Sequence, residues 1–184
     1  MTGRGSKKPS GELRSGFCKA AIGYMARAYI GVGSNIGDRE DFIVRAIDEI
    51  SKIEDASLKR RSSIYETDPV SDIPQGKYLN AVVEIEAFRG PKELMASLLG
   101  IEERLGRTRG SKNSPRTIDL DLLLYDNAVI QEDGLTVPHP RLHQRAFVLR
   151  GLKELDPYLI HPVTRKPVNE MYKNVTSEHR DNPL

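Results

Sequence analysis

The chain has 184 residues, 29% of them charged and nearly balanced, with a net charge of +2 and a pI of about 8.6. That length defaults to a single domain with a sizeable core, and the balance carries no basic signature of nucleic-acid binding. The one cysteine, Cys18, excludes an internal disulfide framework and fits a reducing compartment. No apolar run approaches the ~20 residues of a membrane span, so the cytoplasm is the expected location, without a membrane or nucleic-acid partner.

The charge is unevenly placed. Within residues 1–27, Arg4, Lys7, Lys8, Arg14, Lys19 and Arg27 face only Glu12, which leaves the rest of the chain net acidic. This stretch lacks the apolar core of a signal peptide and reads as a basic, disordered N-terminal extension, with 28–184 as one domain. Ala28 to Val32 is the first predicted strand. The turn-rich Gly33-Ser34-Asn35-Ile36-Gly37-Asp38 follows, and Asp38 caps a helix in which Phe42, Ile43, Ala46, Ile47, Ile50 and Ile53 recur at helical spacing. Leu58 to Tyr65 is the second predicted strand, residues 67–76 a loop, and Tyr78 to Phe88 an alternating third strand. Gly90-Pro91 opens a second helix with Leu94, Leu98, Ile101 and Leu105 along one stripe. Gly106 to Arg116 is Gly/Ser-rich and carries Arg107, Arg109, Lys112 and Arg116, a cationic loop rather than a regular element. Pro115 to Tyr125 reads as a fourth strand. Ala128–Ile130 and Leu135–Val137 then flank a hairpin turn, Leu142 to Leu155 holds a short helical stretch, and the polar Thr164–Leu184 is expected to be loosely held.

The order β-α-β-β-α-β predicts an α+β fold, a ferredoxin-like antiparallel sheet with its two helices on one face. A small C-terminal hairpin and short helices complete it, and the other face is expected to stay open for a ligand.

The chemistry concentrates in the fourth strand. Asp119 and Asp121 lie two residues apart in an otherwise apolar strand, so they share a face, with Cβ atoms roughly 6.6 Å apart. Carboxylates so close need a cation when partly buried. Hard oxygen ligands suit Mg²⁺, which commonly takes one or two carboxylates and completes its shell with waters and substrate phosphates. The cationic loop just upstream supplies guanidinium forks for phosphate oxygens. Together they point to phosphoryl-type transfer.

Other signals are weaker. Gly31-Val32-Gly33-Ser34-Asn35-Ile36-Gly37 lacks the Lys-Ser/Thr of a P-loop and the spacing of a dinucleotide fingerprint; a tight turn explains it equally well. Tyr78 and Asn80 suit a flat heterocycle, one as an aromatic face and one as an amide that donates and accepts, yet both also fit plain packing. Pro138-His139-Pro140-Arg141 is a rigid connector whose histidine reads first as structural.

Taken in order, Tyr29-Ile30-Gly31-Val32-Gly33-Ser34-Asn35, Ser62-Ser63-Ile64-Tyr65-Glu66-Thr67, Tyr78-Leu79-Asn80, Gly106-Arg107, Pro115-Arg116-Thr117-Ile118-Asp119-Leu120-Asp121 and Leu135-Thr136-Val137-Pro138-His139-Pro140-Arg141 resemble the 6-hydroxymethyl-7,8-dihydropterin pyrophosphokinases of folate biosynthesis. The resemblance runs from about Ala28 to Pro157. It implies transfer of the β,γ-diphosphate of ATP to the hydroxymethyl group of the reduced pterin, with release of AMP. It implies two Mg²⁺ ions on Asp119 and Asp121, and Arg107 and Arg116 as the arginines that engage the triphosphate and assist transfer. It places Tyr78 and Phe147 as the aromatics around the pterin, Asn80 at its edge, and Thr67 and Val70 completing that pocket. It puts Leu122, Thr136, His139 and Arg145 on the ATP side. One departure is the absence of any tryptophan: Asn113-Ser114 precede Pro115-Arg116, where some members carry one.

Two further readings remain open on the residues alone. One is a different two-metal nucleotidyl-transfer enzyme on a ferredoxin-like palm. The other is an RNA-binding module, although such sheets place aromatics, not carboxylates, on their central strands. Oligomeric state, monomer or weak homodimer, is not encoded in any motif.

Overall fold

A computed structural model describes residues 25–69, 74–107 and 115–181. Its framework is the predicted antiparallel sheet. Strand β1 (Ala26–Ser34) lies at the centre, between β4 (Tyr78–Ala87) and β5 (Asp119–Tyr125), and β2 (Ala56–Arg61) pairs with the far side of β4. β1 starts at Ala26, paired with Ala87, so the sheet reaches two residues into the stretch expected to be an extension. The expectation for residues 1–24 lies outside the described residues.

Helices α1 (Arg39–Ser51) and α2 (Pro91–Arg104) cover one face, as the periodicity predicts. Asp38 caps α1, its Oδ1 accepting the Asp41 N–H at 3.1 Å. At α2, Pro91 occupies the first turn and the Glu93 carboxylate accepts the Gly90 N–H at 3.1 Å, satisfying a donor the helix leaves open. Ile43, Ile47 and Ile50 of α1 and Leu94, Leu98 and Ile101 of α2 pack on Ile30, Val32, Val83, Ile85 and Leu120.

Three expectations are corrected. The predicted second strand breaks in two, at β2 and β3 (Tyr65–Thr67): between them the Ser62 N–H still donates to the Val82 carbonyl at 2.8 Å, and serine side chains take the other bonds. Ser62 Oγ accepts the Val82 N–H at 2.9 Å, while Ser63 donates through both its N–H and its hydroxyl to Glu154, each at 2.7 Å. The C-terminal stretch is no loose tail. It forms α4 (Val168–Asp181), whose Val168 and Met171 are buried against α3 (Ala146–Leu155). Its polar composition hid an apolar stripe of few residues at helical spacing. Third, the second face of the sheet is half covered, not open. Val148, Leu149, Leu152 and Leu155 of α3 pack on Tyr29, Val82, Leu123 and Leu124, so among the described residues the end of the sheet nearest Asp119 is the part left accessible. The hairpin forms as predicted, from β6 (Ile130–Glu132) and β7 (Leu135–Val137). Among the described residues no helix is long and apolar enough to cross a membrane.

Gly151 sets how closely α3 sits on the sheet. A Cβ there would overlap Val82 Cγ2 and come within 2.6 Å of the Tyr65 hydroxyl, and that hydroxyl donates to the Phe147 carbonyl at 2.7 Å. Gly151→Ala is therefore an overpacking change, expected to cost about 1–3 kcal/mol, a fall in Tm of roughly 2–12 °C for a domain of this size. Calorimetry giving an unchanged Tm would show that α3 shifts freely on the sheet.

Candidate active site

A cleft of about 240 Å³ opens at the uncovered end of the sheet, between β1, β3, β4 and β5 and the segment leading into α3. Its floor explains the glycine pattern of β1. Val32 points into the helix-side core, so Gly31 and Gly33 face the cleft, where a Cβ would lie 3.4 Å from Leu123 and 3.2 Å from Asn80 Oδ1. These glycines are neither a phosphate cradle nor a turn; they leave a bare strand on which a flat molecule can rest.

At one end, cross-strand pairing of β3 with β4 sets Thr67 opposite Tyr78. The Asn80 Nδ2 donates to Thr67 Oγ1 at 2.7 Å, and the Tyr78 hydroxyl donates to Gln75 Oε1 at 3.3 Å. Phe147, in the first turn of α3, lines the same end, with the Arg145 guanidinium 5.6 Å from its ring centre. Val70 falls outside the described residues, as do residues 108–114 of the cationic loop.

At the other end stand the two aspartates, side by side on the cleft face of β5 as the alternation requires. Asp119 is gripped by two guanidiniums, Arg107 Nη1 at 2.7 Å and Arg116 Nη1 at 2.9 Å from its two oxygens. Asp121 has Arg145 Nη1 at 3.5 Å and His139 Nε2 at 3.8 Å. Burial, and then repulsion from Asp119, pushes the Asp121 carboxyl up to about 6, although its side chain stays 34% exposed. Burial, reinforced by Arg145 and Arg141, drives His139 down to about 4. The ring is neutral at pH 7, and its Nδ1 accepts the Arg141 N–H at 3.2 Å, so the proton sits on Nε2, facing Asp121. His139 thus stands neutral beside Asp121, at 3.8 Å beyond hydrogen-bond reach.

Two ATP-side assignments change character. Leu122 is buried in the helix-side core, because alternation turns it away from Asp121, so any contact it makes with a nucleotide runs through its main chain. Thr136 is exposed on β7 between the buried Leu135 and Val137 and does not line the cleft.

The sequence reading missed Gln75 and Gln144, which line the cleft from segments without periodicity, as does Arg141 of the Pro138-His139-Pro140-Arg141 connector. It also missed Glu102. This carboxylate, 3% exposed, accepts the Leu120 N–H at 2.7 Å and pairs with Arg107. An acid following Ile101 along the apolar stripe of α2 was the available signal. Burial pushes Glu102 up to about 7 from an ordinary value of 4.5. Between those values the native protein holds a proton that the unfolded chain has released, so stability falls as pH rises across that window. Glu102→Gln is expected to flatten this slope by up to one proton, ~1.4 kcal/mol per pH unit. Urea unfolding at pH 5, 6 and 7 checks it; an unchanged slope would mean that Arg107 keeps Glu102 ionised.

Comparisons with known proteins give the family. A family profile described as 7,8-dihydro-6-hydroxymethylpterin-pyrophosphokinase (HPPK) matches residues 29–157. A 2-amino-4-hydroxy-6-hydroxymethyldihydropteridine pyrophosphokinase from Aquifex aeolicus is 39% identical over 146 residues, 79% of this chain and 90% of that protein. The Bacillus subtilis protein of the same name is 45% identical over 128 residues, 70% of this chain and 77% of its own length. The folic acid synthesis protein fol1 of Schizosaccharomyces pombe is 39% identical over 151 residues, but the match covers 82% of this chain and only 21% of that protein. A solved structure, wild-type Plasmodium falciparum HPPK-DHPS, superposes with a TM-score of 0.70 at 13% identity, over 88% of this chain and 47% of that one; it supports the fold. On the span of the profile match and the identity of these relatives, the chain belongs to the 7,8-dihydro-6-hydroxymethylpterin-pyrophosphokinase family.

Proposed function

We propose that the cleft transfers the β,γ-diphosphate of ATP to the hydroxymethyl oxygen of 6-hydroxymethyl-7,8-dihydropterin, releasing AMP, as a cytoplasmic step of folate synthesis. The observation that carries this is one cleft with two unlike ends in a chain of this family. A flat subsite is bounded by Tyr78, Asn80 and Phe147, and beside it paired carboxylates stand among arginines.

The residues fit Mg²⁺. Asp119 and Asp121 present their carboxylates on one face of β5, and burial together with the neighbouring Asp119 keeps Asp121 raised even with Arg145 beside it, so a cation there would relieve the pair. Two carboxylates with room for phosphates and water are what this hard cation takes. Asp119 and Asp121 would hold two such ions, which when bound supply charge neutralisation at the triphosphate oxygens. Arg107 and Arg116, already at Asp119, exchange that carboxylate for phosphate oxygens, which a guanidinium fork binds in bidentate fashion. Arg145 lies between the two ends, close to both Asp121 and Phe147. The neutral His139 donates from Nε2 without adding charge.

Tyr78 and Phe147 hold the pterin ring and Asn80 with Thr67 reads its edge, which aims the hydroxymethyl oxygen at the β-phosphorus. That oxygen forms the new P–O bond as it loses its proton to solvent water, the bond from the β-phosphorus to the α,β-bridging oxygen breaks, and AMP leaves with that oxygen. The protein's work is positioning and charge stabilisation, with no covalent intermediate on a side chain.

Incubation of the chain with ATP, Mg²⁺ and the hydroxymethyldihydropterin, with nucleotides separated by anion exchange, is expected to show one AMP per pterin diphosphate formed. ADP with a monophosphorylated pterin would overturn the reading, and release of pyrophosphate would select nucleotidyl transfer instead.

A further inference from the structure

Asn35 closes β1 at the head of the cleft. It is 6% exposed, and both ends of its amide are engaged. Oδ1 accepts the main-chain N–H of Arg116 at 2.8 Å, and Nδ2 donates to Gln75 Oε1 at 2.9 Å. The Asn35 N–H also donates to the Arg116 carbonyl at 3.2 Å. Gln75 Oε1 in turn accepts the Tyr78 hydroxyl at 3.3 Å. One buried amide thus joins the main chain of the arginine that grips Asp119 to the phenol of the aromatic at the other end of the cleft.

We propose that Asn35 is a positioning residue that fixes the register between the two ends of the cleft, and so between the two substrates. The proposal rests on the placement of pterin and triphosphate given above. Neither Gln75 nor Arg116 lies in a strand or helix, so no ladder holds them relative to each other. Asn35, at the end of the central strand, supplies the rigid point to which both are tied. Gly76, next to Gln75, packs against the Asn35 main chain, where a Cβ would lie 3.4 Å from the Asn35 carbonyl. A reacting oxygen and a phosphorus tolerate little error in mutual placement; a shift of about 1 Å costs on the order of 10²-fold in rate. Each substrate taken alone does not sense that register. The signature of the role is therefore a loss in kcat without a matching loss in the affinity for either substrate.

The test uses the full chain with Asn35→Ala, Gln75→Leu and the double variant. Gln75→Leu cuts the same chain of hydrogen bonds one link further on without touching Arg116. Asn35→Ala is expected to lower kcat by roughly 10- to 100-fold, with the dissociation constants of a non-hydrolysable ATP analogue and of the pterin, each measured alone by calorimetry, within about threefold of wild type. Gln75→Leu is expected to lower kcat too, and the double variant to be no worse than Asn35→Ala within about threefold, because both changes break one linkage. A kcat for Asn35→Ala within threefold of wild type, losses that multiply in the double variant, or a loss explained wholly by weaker binding of one substrate would each overturn it. Should Asn35→Ala fail to fold, Asn35→Asp, which keeps the acceptor for Arg116 and loses the donor to Gln75, carries the same expectation of reduced kcat at unchanged nucleotide affinity. Wild-type product analysis stands apart: AMP formation with silent Asn35 variants would sink this inference and leave the pyrophosphokinase reading intact.

Discussion

Asp119→Asn and Asp121→Asn are each expected to reduce kcat by about 10³-fold or more, since each removes a charge set where the triphosphate is held. Neither change should unfold the protein. Asparagine keeps the shape of the side chain, and Asp121 already carries the strain of burial beside a like charge, which holds its carboxyl up at about 6. Relieving that repulsion should leave the free Asp121→Asn protein at least as stable as wild type. Thermal melts separate the two effects. Mg²⁺ with a non-hydrolysable ATP analogue at 100 times its dissociation constant should stabilise wild type by about 2.7 kcal/mol, and most of that gain should vanish in both variants. Near-normal turnover in either variant would remove the metal assignment, and an undiminished ligand-induced shift would show that the nucleotide binds elsewhere.

Arg116→Ala ranks second, with an expected loss in kcat of about 10²- to 10³-fold, the usual cost of one preorganised charge at the reacting group. Arg116→Lys should recover little of it, because a lysine ammonium cannot reproduce the planar fork that meets two phosphate oxygens at once. The fold should tolerate both changes: Arg116 is anchored through its main chain, by Asn35 Oδ1 at 2.8 Å and the Asn35 N–H at 3.2 Å, and truncating the guanidinium leaves those bonds in place. The effect should therefore appear in steady-state kinetics and not in Tm. Full activity in Arg116→Lys would reduce the residue to a diffuse positive charge.

The long periodic segments were legible in advance because local pattern and tertiary role coincide in them. α1 and α2 show their core stripes directly, and β5 announces Asp119 and Asp121 through the cationic loop beside them, since two carboxylates in an apolar run would by themselves fit a solvated edge strand, and β5 is an edge strand. The glycines of β1 were visible but unreadable. What they mean depends on Val32 facing the core, which decides that Gly31 and Gly33 face the cleft. α4 escaped notice because its polar face outweighs Val168 and Met171, and those two matter only once α3 is there to receive them. Glu102 looked like one more helix surface acid until its oxygen was found on the Leu120 amide.

By itself, then, the amino-acid order determined the ferredoxin-like framework, the carboxylate pair on one face of the fourth strand and, through motif resemblance, the family and its reaction. Periodicity and spacing are local properties, and a run of a dozen residues is enough to express them. Only the tertiary structure decided which end of the sheet stays open, that α3 and α4 close the rest, that His139 stands neutral beside Asp121, and that Asn35 ties Arg116 to Gln75. Those outcomes depend on burial and on contacts between residues far apart in the chain, 40 and 81 positions for the two Asn35 side-chain bonds, and no local pattern records which distant partner will remove a side chain from water.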